Sequence, residues 1–213
     1  MPNFIQRMVR FYLYFQFLFF GTCLINPLFA KDLDRWTLGV GVAVISDNDT
    51  TGAVSGQFKK VNGDSGGWIY NINLGYILKK LSFSTDSNTY TPHLEIVSSL
   101  GFVDENTSDL FYNFNAAFAG RWIDFPWNRY LSTTIMTGIG LNYSEKIFKM
   151  DVEKHPDDDR SHLKFFWPVE LTLAIPGFKH HCLVFFSHHI SGGYIMDSGG
   201  IDSFGVGYRY LFH

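Results

Sequence analysis

His189 and Ser191 stand two residues apart near the end of an alternating, strand-like run, and Asp202 lies just inside the next run, after Gly200-Ile201. Side chains two apart on a strand point to the same face, so the imidazole and the hydroxyl are neighbours by construction. If the two runs pair as a hairpin, Asp202 reaches the same neighbourhood. A hydroxyl next to an imidazole next to a carboxylate is an arrangement that turns serine into a nucleophile. The ring takes the hydroxyl proton, while the acid fixes the ring's orientation and balances the charge it acquires. The chemistry of such a trio would be acyl transfer.

The elements that must position these residues are strands. From Trp36 the chain places Trp36, Leu38, Val40, Val42 and Val44 on one parity and Gly39, Gly41 and Ala43 on the other. A second run sets Trp68, Tyr70, Ile72, Leu74 and Tyr76 against Asn71, Asn73 and Gly75. The same grammar recurs over Tyr90–Val103, Phe111–Ile123, Tyr130–Tyr143 and Leu163–Ile175, and then over Cys182–Ser191 and Ile201–Phe212. One face is large and apolar, whereas the other is small, amide-bearing or hydroxylic. A soluble β-sandwich would bury the aromatic face and put charges outside. Here the polar face carries Gly and Asn, which suits the interior of an eight-stranded antiparallel transmembrane β-barrel.

The two ends of the chain agree with that class. Residues 1–30 carry Arg7 and Arg10, no acidic residue and an apolar stretch from Phe11 to Phe20, closing on Pro27-Leu28-Phe29-Ala30. This reads as a secretory signal peptide cleaved after Ala30; a retained anchoring helix is the alternative. The barrel domain is then residues 31–213. Removing two arginines makes the mature chain more acidic than the full chain's formal net charge of −3, which argues against a nucleic-acid surface. Of the two cysteines, Cys23 falls in the signal, so Cys182 has no internal partner. Phe is the commonest residue at 22, and mean hydropathy is 0.00, a balance reached by alternation rather than by long apolar runs. The last strand ends Tyr208, Tyr210, Phe212 on one parity, the kind of carboxy-terminal strand read by barrel-assembly machinery.

The connections alternate in length, long and polar at Asp47–Gly66 and Ser144–His162 and short at Asp124–Arg129 and Pro176–His181. With the amino terminus in the periplasm, the long segments fall outside the cell. The seventh run then rises outward, which puts His189 and Ser191 near the outer leaflet. Parity places His189, Ser191 and Asp202 on the lipid-facing side, where a carboxylate and an imidazole are costly unless they serve a purpose.

These last residues resemble a known family, the outer-membrane lipid A 3-O-deacylases of the PagL type, an acyloxyacyl hydrolase-like group. Its final hairpin carries a His-x-Ser motif followed by Gly-Ile-acid. The matching residues are His189-Ile190-Ser191 and Gly200-Ile201-Asp202, continued by Ser203-Phe204. The resemblance implies Ser191 as nucleophile, His189 as general base and Asp202 as the group orienting the imidazole. Lipid A of lipopolysaccharide in the bacterial outer membrane would be the substrate, with no metal or cofactor. Two positions depart from the family: Asp202 stands where Glu is usual, and Gly192 stands where Asn follows the serine. The backbone N–H groups of Gly192 and Gly193 would then have to stabilise the oxyanion. The rival reading is a non-catalytic barrel that acts as a structural or binding protein.

The remaining polar residues call for blander roles. His188 has lumen parity, as do His93, Glu95, Arg121, Lys164 and Glu170, where an ion network filling a narrow barrel is expected. Asp157-Asp158-Asp159 reads as a solvated acidic loop, and His180-His181 as part of a turn without a ligand role.

Overall fold

The computed structural model describes residues 30–46, 61–86, 88–154, 156 and 159–212. The expected signal peptide, apart from Ala30, and Asp157 and Asp158 lie outside the described residues. The chain divides into two compact units, Met1–Asp34 and Arg35–His213, and the second holds the barrel.

Alternation becomes strand wherever the sequence carries it. The barrel strands are β1 (Trp36–Ser46), β2 (Gly67–Lys80), β5 (His93–Glu105), β6 (Phe111–Trp122), β7 (Ser132–Ser144), β8 (Leu163–Ala174), β9 (His181–Ser191) and β10 (Gly200–Leu211). A two-stranded ribbon, β3 (Phe83–Ser84) and β4 (Thr89–Tyr90), stands between β2 and β5. All pairings are antiparallel, and β1 hydrogen-bonds to both β2 and β10, so the sheet closes on itself. Closure leaves no edge strand, which is what allows a sheet to sit in hydrocarbon without orphaned backbone groups.

Burial runs opposite to that of a soluble protein. Phe114, Phe118, Ile135, Ile139, Leu141, Leu183 and Val206 are exposed, while Asn71, Asn113, Asn115, Asn142, Arg121 and Glu170 are buried. The outer surface is therefore the apolar one, as an environment of lipid requires. Inside, Arg121 donates from Nε to Glu95 Oε1 at 2.9 Å and from Nη2 to Glu170 Oε2 at 3.0 Å, and Arg209 donates to Glu170 Oε1 at 2.7 Å. His188 faces the lumen, with Phe166 edge-on at 5.0 Å. The expected lumen network is thus present, and Arg209 is a member that alternation alone did not single out.

Four connections depart from expectation. The long segment between β2 and β5 is the β3–β4 ribbon, and Tyr90 belongs to it rather than to the next barrel strand. There it stacks at 5.1 Å from Trp122. Tyr130 and Leu131 fall in the turn before β7, where both N–H groups donate to the Trp127 carbonyl. The segment after β7 is not simply a solvated loop: it folds into the short helix α1 (Lys149–Lys154), and Phe148, Met150 and Asp151 are buried. Phe148 and Met150 pack with Ile45, Ile69, Val103, Phe111 and Phe166, so apolar side chains close the loop end of the lumen. His181 is the first residue of β9, not a turn residue, and its Nδ1 lies 2.6 Å from the Tyr208 hydroxyl.

Candidate active site

The β9–β10 register brings the sequence-distant carboxylate to the motif. Asp202 is the direct cross-strand partner of His189, and Gly200 that of Ser191. Nδ1 of His189 lies 3.0 Å from Oδ1 of Asp202, hydrogen-bond distance for an imidazole N–H donating to a carboxylate. With Nδ1 engaged, Nε2 is the nitrogen through which the ring would take a proton. Exposure follows the same parity: His189 and Ser191 are half-buried while their neighbours His188 and Ile190 are buried. Asp202 has the outward parity, yet its side chain is only 10% exposed against 33% for His189, so the acid lies beneath the base. All three residues singled out by the sequence are therefore on one face at one end of the barrel.

The two backbone donors behave differently. Gly192 donates its N–H to the Gly199 carbonyl at 2.9 Å, closing the mouth of the β9–β10 loop. Gly193 donates its N–H to Ser191 Oγ at 3.1 Å, which leaves that group beside the reactive oxygen. Gly193 has φ +61°, and Tyr194 follows at φ 58°, a pair of left-handed residues that folds the chain back toward Ser191. Gly192 is glycine for a different reason. A Cβ there would lie 1.9 Å from Asp197 Oδ1 and 2.3 Å from the Asp197 carbonyl oxygen, so a side chain such as Asn has no room.

Beside the trio lies an outward-facing groove of about 340 Å³, lined by Gly138, Ile139, Phe165, Phe166, Trp167, His189, Ser191 and Gly193. Apart from His189 and Ser191 its walls are apolar. Its origin is local. Pro168 occupies β8, and the β7–β8 pairing runs to Thr137↔Val169 and resumes at Gly140↔Phe166 with no pair between. A proline has no N–H to give a ladder, so the two strands part where it sits. Trp167 crosses the opening, donating Nε1–H to Thr137 Oγ1 at 2.8 Å, and its ring meets His189 edge-on at 6.4 Å. Trp167 lies in the alternating run Leu163–Ile175, where parity marks it only as an outward-facing apolar residue. Pro168 inside a run otherwise made of strand formers was the signal for a break in the wall.

A second cluster lies nearby on the inner side. Lys164 Nζ contacts the carboxylates of both Asp151, at 3.0 Å, and Asp197. Asp197 Oδ2 also accepts the Ser161 N–H at 2.7 Å, and its Oδ1 accepts the Gly199 N–H at 3.0 Å. Lys164 has the expected lumen parity, but its partners come from α1 and the β9–β10 loop, neither of which alternation could join to it.

Comparison with known proteins finds fold similarity without sequence similarity. No family model matches the chain, and no curated protein matches it. Among solved structures, the outer membrane enzyme PagL superposes with a TM-score of 0.54 at 15% identity, covering 81% of this chain and 98% of that one. The outer membrane protein Ail of Yersinia pestis gives 0.39 at 12% identity, covering 83% and 99%. OprG from Pseudomonas aeruginosa gives 0.39 at 10% identity, covering 83% and 95%. The first of these supports the fold: this chain is an eight-stranded barrel of the outer-membrane kind.

Proposed function

We propose that this barrel is an outer-membrane esterase that removes the 3-O-linked acyl chain of lipid A. The observation that carries the reading is the His189–Asp202 pair with Ser191 on the lipid-facing side, opening onto an apolar groove. A soluble substrate would have no reason to find a site there. A lipid ester in the outer leaflet would meet the hydroxyl with its carbonyl and the groove with its chain.

In the proposed reaction, His189 Nε2 takes the Ser191 proton as Oγ bonds to the ester carbonyl carbon. Asp202 holds the ring and balances the imidazolium that forms. The carbonyl oxygen becomes an oxyanion, and the Gly193 N–H is the backbone donor at hand for it. Collapse breaks the bond to the sugar oxygen, which leaves as the 3-hydroxyl with the proton from His189. Water then gives a proton to His189 and attacks the acyl-serine. The fatty acid is released as Ser191 regains its proton. The partners implied are lipopolysaccharide and, through the Tyr208–Phe212 end of the chain, barrel-assembly machinery.

Mass spectrometry of lipid A from cells expressing the wild type or Ser191→Ala tests the reading, with heat-modifiable gel migration to establish that both barrels are folded. The expected result is loss of one 3-hydroxyacyl chain with the wild type alone. The same loss with both would move the nucleophile elsewhere, and no loss with either would leave a non-catalytic barrel.

A further inference from the structure

We infer that Lys164 is a positioning residue: through Asp197 it holds the loop that carries the Gly193 N–H, and through Asp151 it ties that loop to the helix that closes the lumen. The inference rests on the proposed role of Ser191. Three separate elements meet at one ammonium group, Lys164 on β8, Asp151 on the preceding helix α1 and Asp197 in the more distant β9–β10 loop. All three residues are buried, Asp151 to 1% exposure.

The charges make the cluster directional. Two carboxylates face one ammonium, so the cation is what permits the acids to approach each other. Asp197 has its charge further satisfied by the N–H groups of Ser161 and Gly199. Among the described residues, Asp151 has neither carboxylate oxygen in a hydrogen bond and has Lys164 as its ion-pair partner.

Two glycines leave room for these acids. A Cβ on Gly192 would strike Asp197 Oδ1 at 1.9 Å, and one on Gly199 would strike Asp151 Oδ1 at 1.9 Å. Both mouths of the β9–β10 loop are therefore shaped around the carboxylates that Lys164 holds. Within that loop, Tyr194 N–H donates to the Asp197 carbonyl at 3.0 Å, so a shift of Asp197 moves Tyr194 and the adjoining Gly193. The link from Lys164 to the oxygen of Ser191 then runs through Asp197, Tyr194 and the Gly193 N–H.

The test is hydrogen–deuterium exchange of the detergent-solubilised full-length barrel, with hydrolysis of purified lipopolysaccharide measured on the same samples. Lys164→Met is expected to speed exchange at least tenfold in both 147–154 and 192–199, with the strand peptides unchanged. Asp197→Asn should loosen 192–199 alone, Asp151→Asn should loosen 147–154 alone, and Lys164→Arg should restore both. Asp197→Asn keeps the Lys164–Asp151 pair and serves if Lys164→Met does not fold. In hydrolysis, the loosened loop should lower kcat at least tenfold with KM within about twofold, because the donor near Ser191 moves while the groove walls on β7 and β8, which would hold the acyl chain, do not. Unchanged exchange in 192–199 on loss of Lys164 or Asp197 would overturn the inference, as would loosening with no fall in kcat. If the wild type hydrolyses nothing, the proposed function fails and takes the positioning role with it, whereas the exchange pattern still decides whether Lys164 holds the loop.

Discussion

Replacing Asp202 by Asn keeps the shape of the side chain and removes its charge, so it isolates what the carboxylate does for His189. In the proposed reaction the ring becomes an imidazolium, and Asp202 is the anion beside it, with nearest atoms 3.0 Å apart. Taking the charge centres to be about 4 Å apart at an effective dielectric of about 20, the attraction is about 4 kcal/mol. Solvent reaches His189, whose side chain is 33% exposed, but hardly reaches Asp202 at 10%. Screening from one side removes up to about half, leaving roughly 2–4 kcal/mol, a fall in kcat of roughly 30- to 1,000-fold. Asp202→Glu keeps the charge and should stay within about tenfold of the wild type, since about 1.4 kcal/mol covers a displaced carboxylate that still reaches the ring. The assay is release of 3-hydroxy fatty acid from lipopolysaccharide in mixed micelles, with heat-modifiable migration as the folding control. Asp202→Asn within threefold of the wild type would refute the argument, because a group that only fills space would tolerate the amide.

Further outcomes follow from the barrel itself. Glu170→Leu leaves Arg121 and Arg209 buried without the carboxylate they share, and should lower stability to urea in detergent by about 3–5 kcal/mol. Gly140→Ala sets a Cβ 1.9 Å from the Ala116 carbonyl oxygen, a backbone atom that no rotamer change can move. The β6–β7 pair must shift, and thermal stability should fall by about 1–3 kcal/mol. Asp197 lies in a loop outside the spanning strands. Burial pushes its carboxyl up, but Lys164 and the N–H groups of Ser161 and Gly199 outweigh this and hold it below the usual carboxylate range. Its contribution is therefore complete above the ordinary value, about 4, and is lost only as pH falls through the lower folded value. Asp151 faces the same ammonium. Exchange of 192–199, corrected for intrinsic chemistry, should stay flat down to about pH 4 and rise below it; a rise near neutrality would contradict the assignment.

The sequence by itself determined the class of fold, the eight barrel strands and the face on which the alternating residues of each run lie. The reason is that a strand's side-chain period is two, and a barrel in lipid has an apolar outside and a polar inside with nothing between them. Parity alone therefore put Glu95, Arg121, Lys164 and Glu170 in the lumen and His189, Ser191 and Asp202 on the outer face. It also made the final hairpin the place to look for chemistry, since two strands joined by a short loop must pair. Strand ends shifted by a few residues, as at Tyr90 and Tyr130, because aromatic residues suit a girdle or a turn as well as a strand. What only the tertiary structure decided was register and contact between distant segments. Pairing Asp202 with His189, rather than with a neighbour one step along, needs the actual ladder. The groove needs β7 and β8 to part at Pro168, and Trp167 to bridge to Thr137. The burial of Phe148, Met150 and Asp151 is invisible in a segment whose composition is that of a solvated loop, because its partners are the inner faces of strands across the barrel. Lys164 gathers Asp151 and Asp197 for the same reason: a long-range ion cluster has no period, and only folding brings its charges within reach.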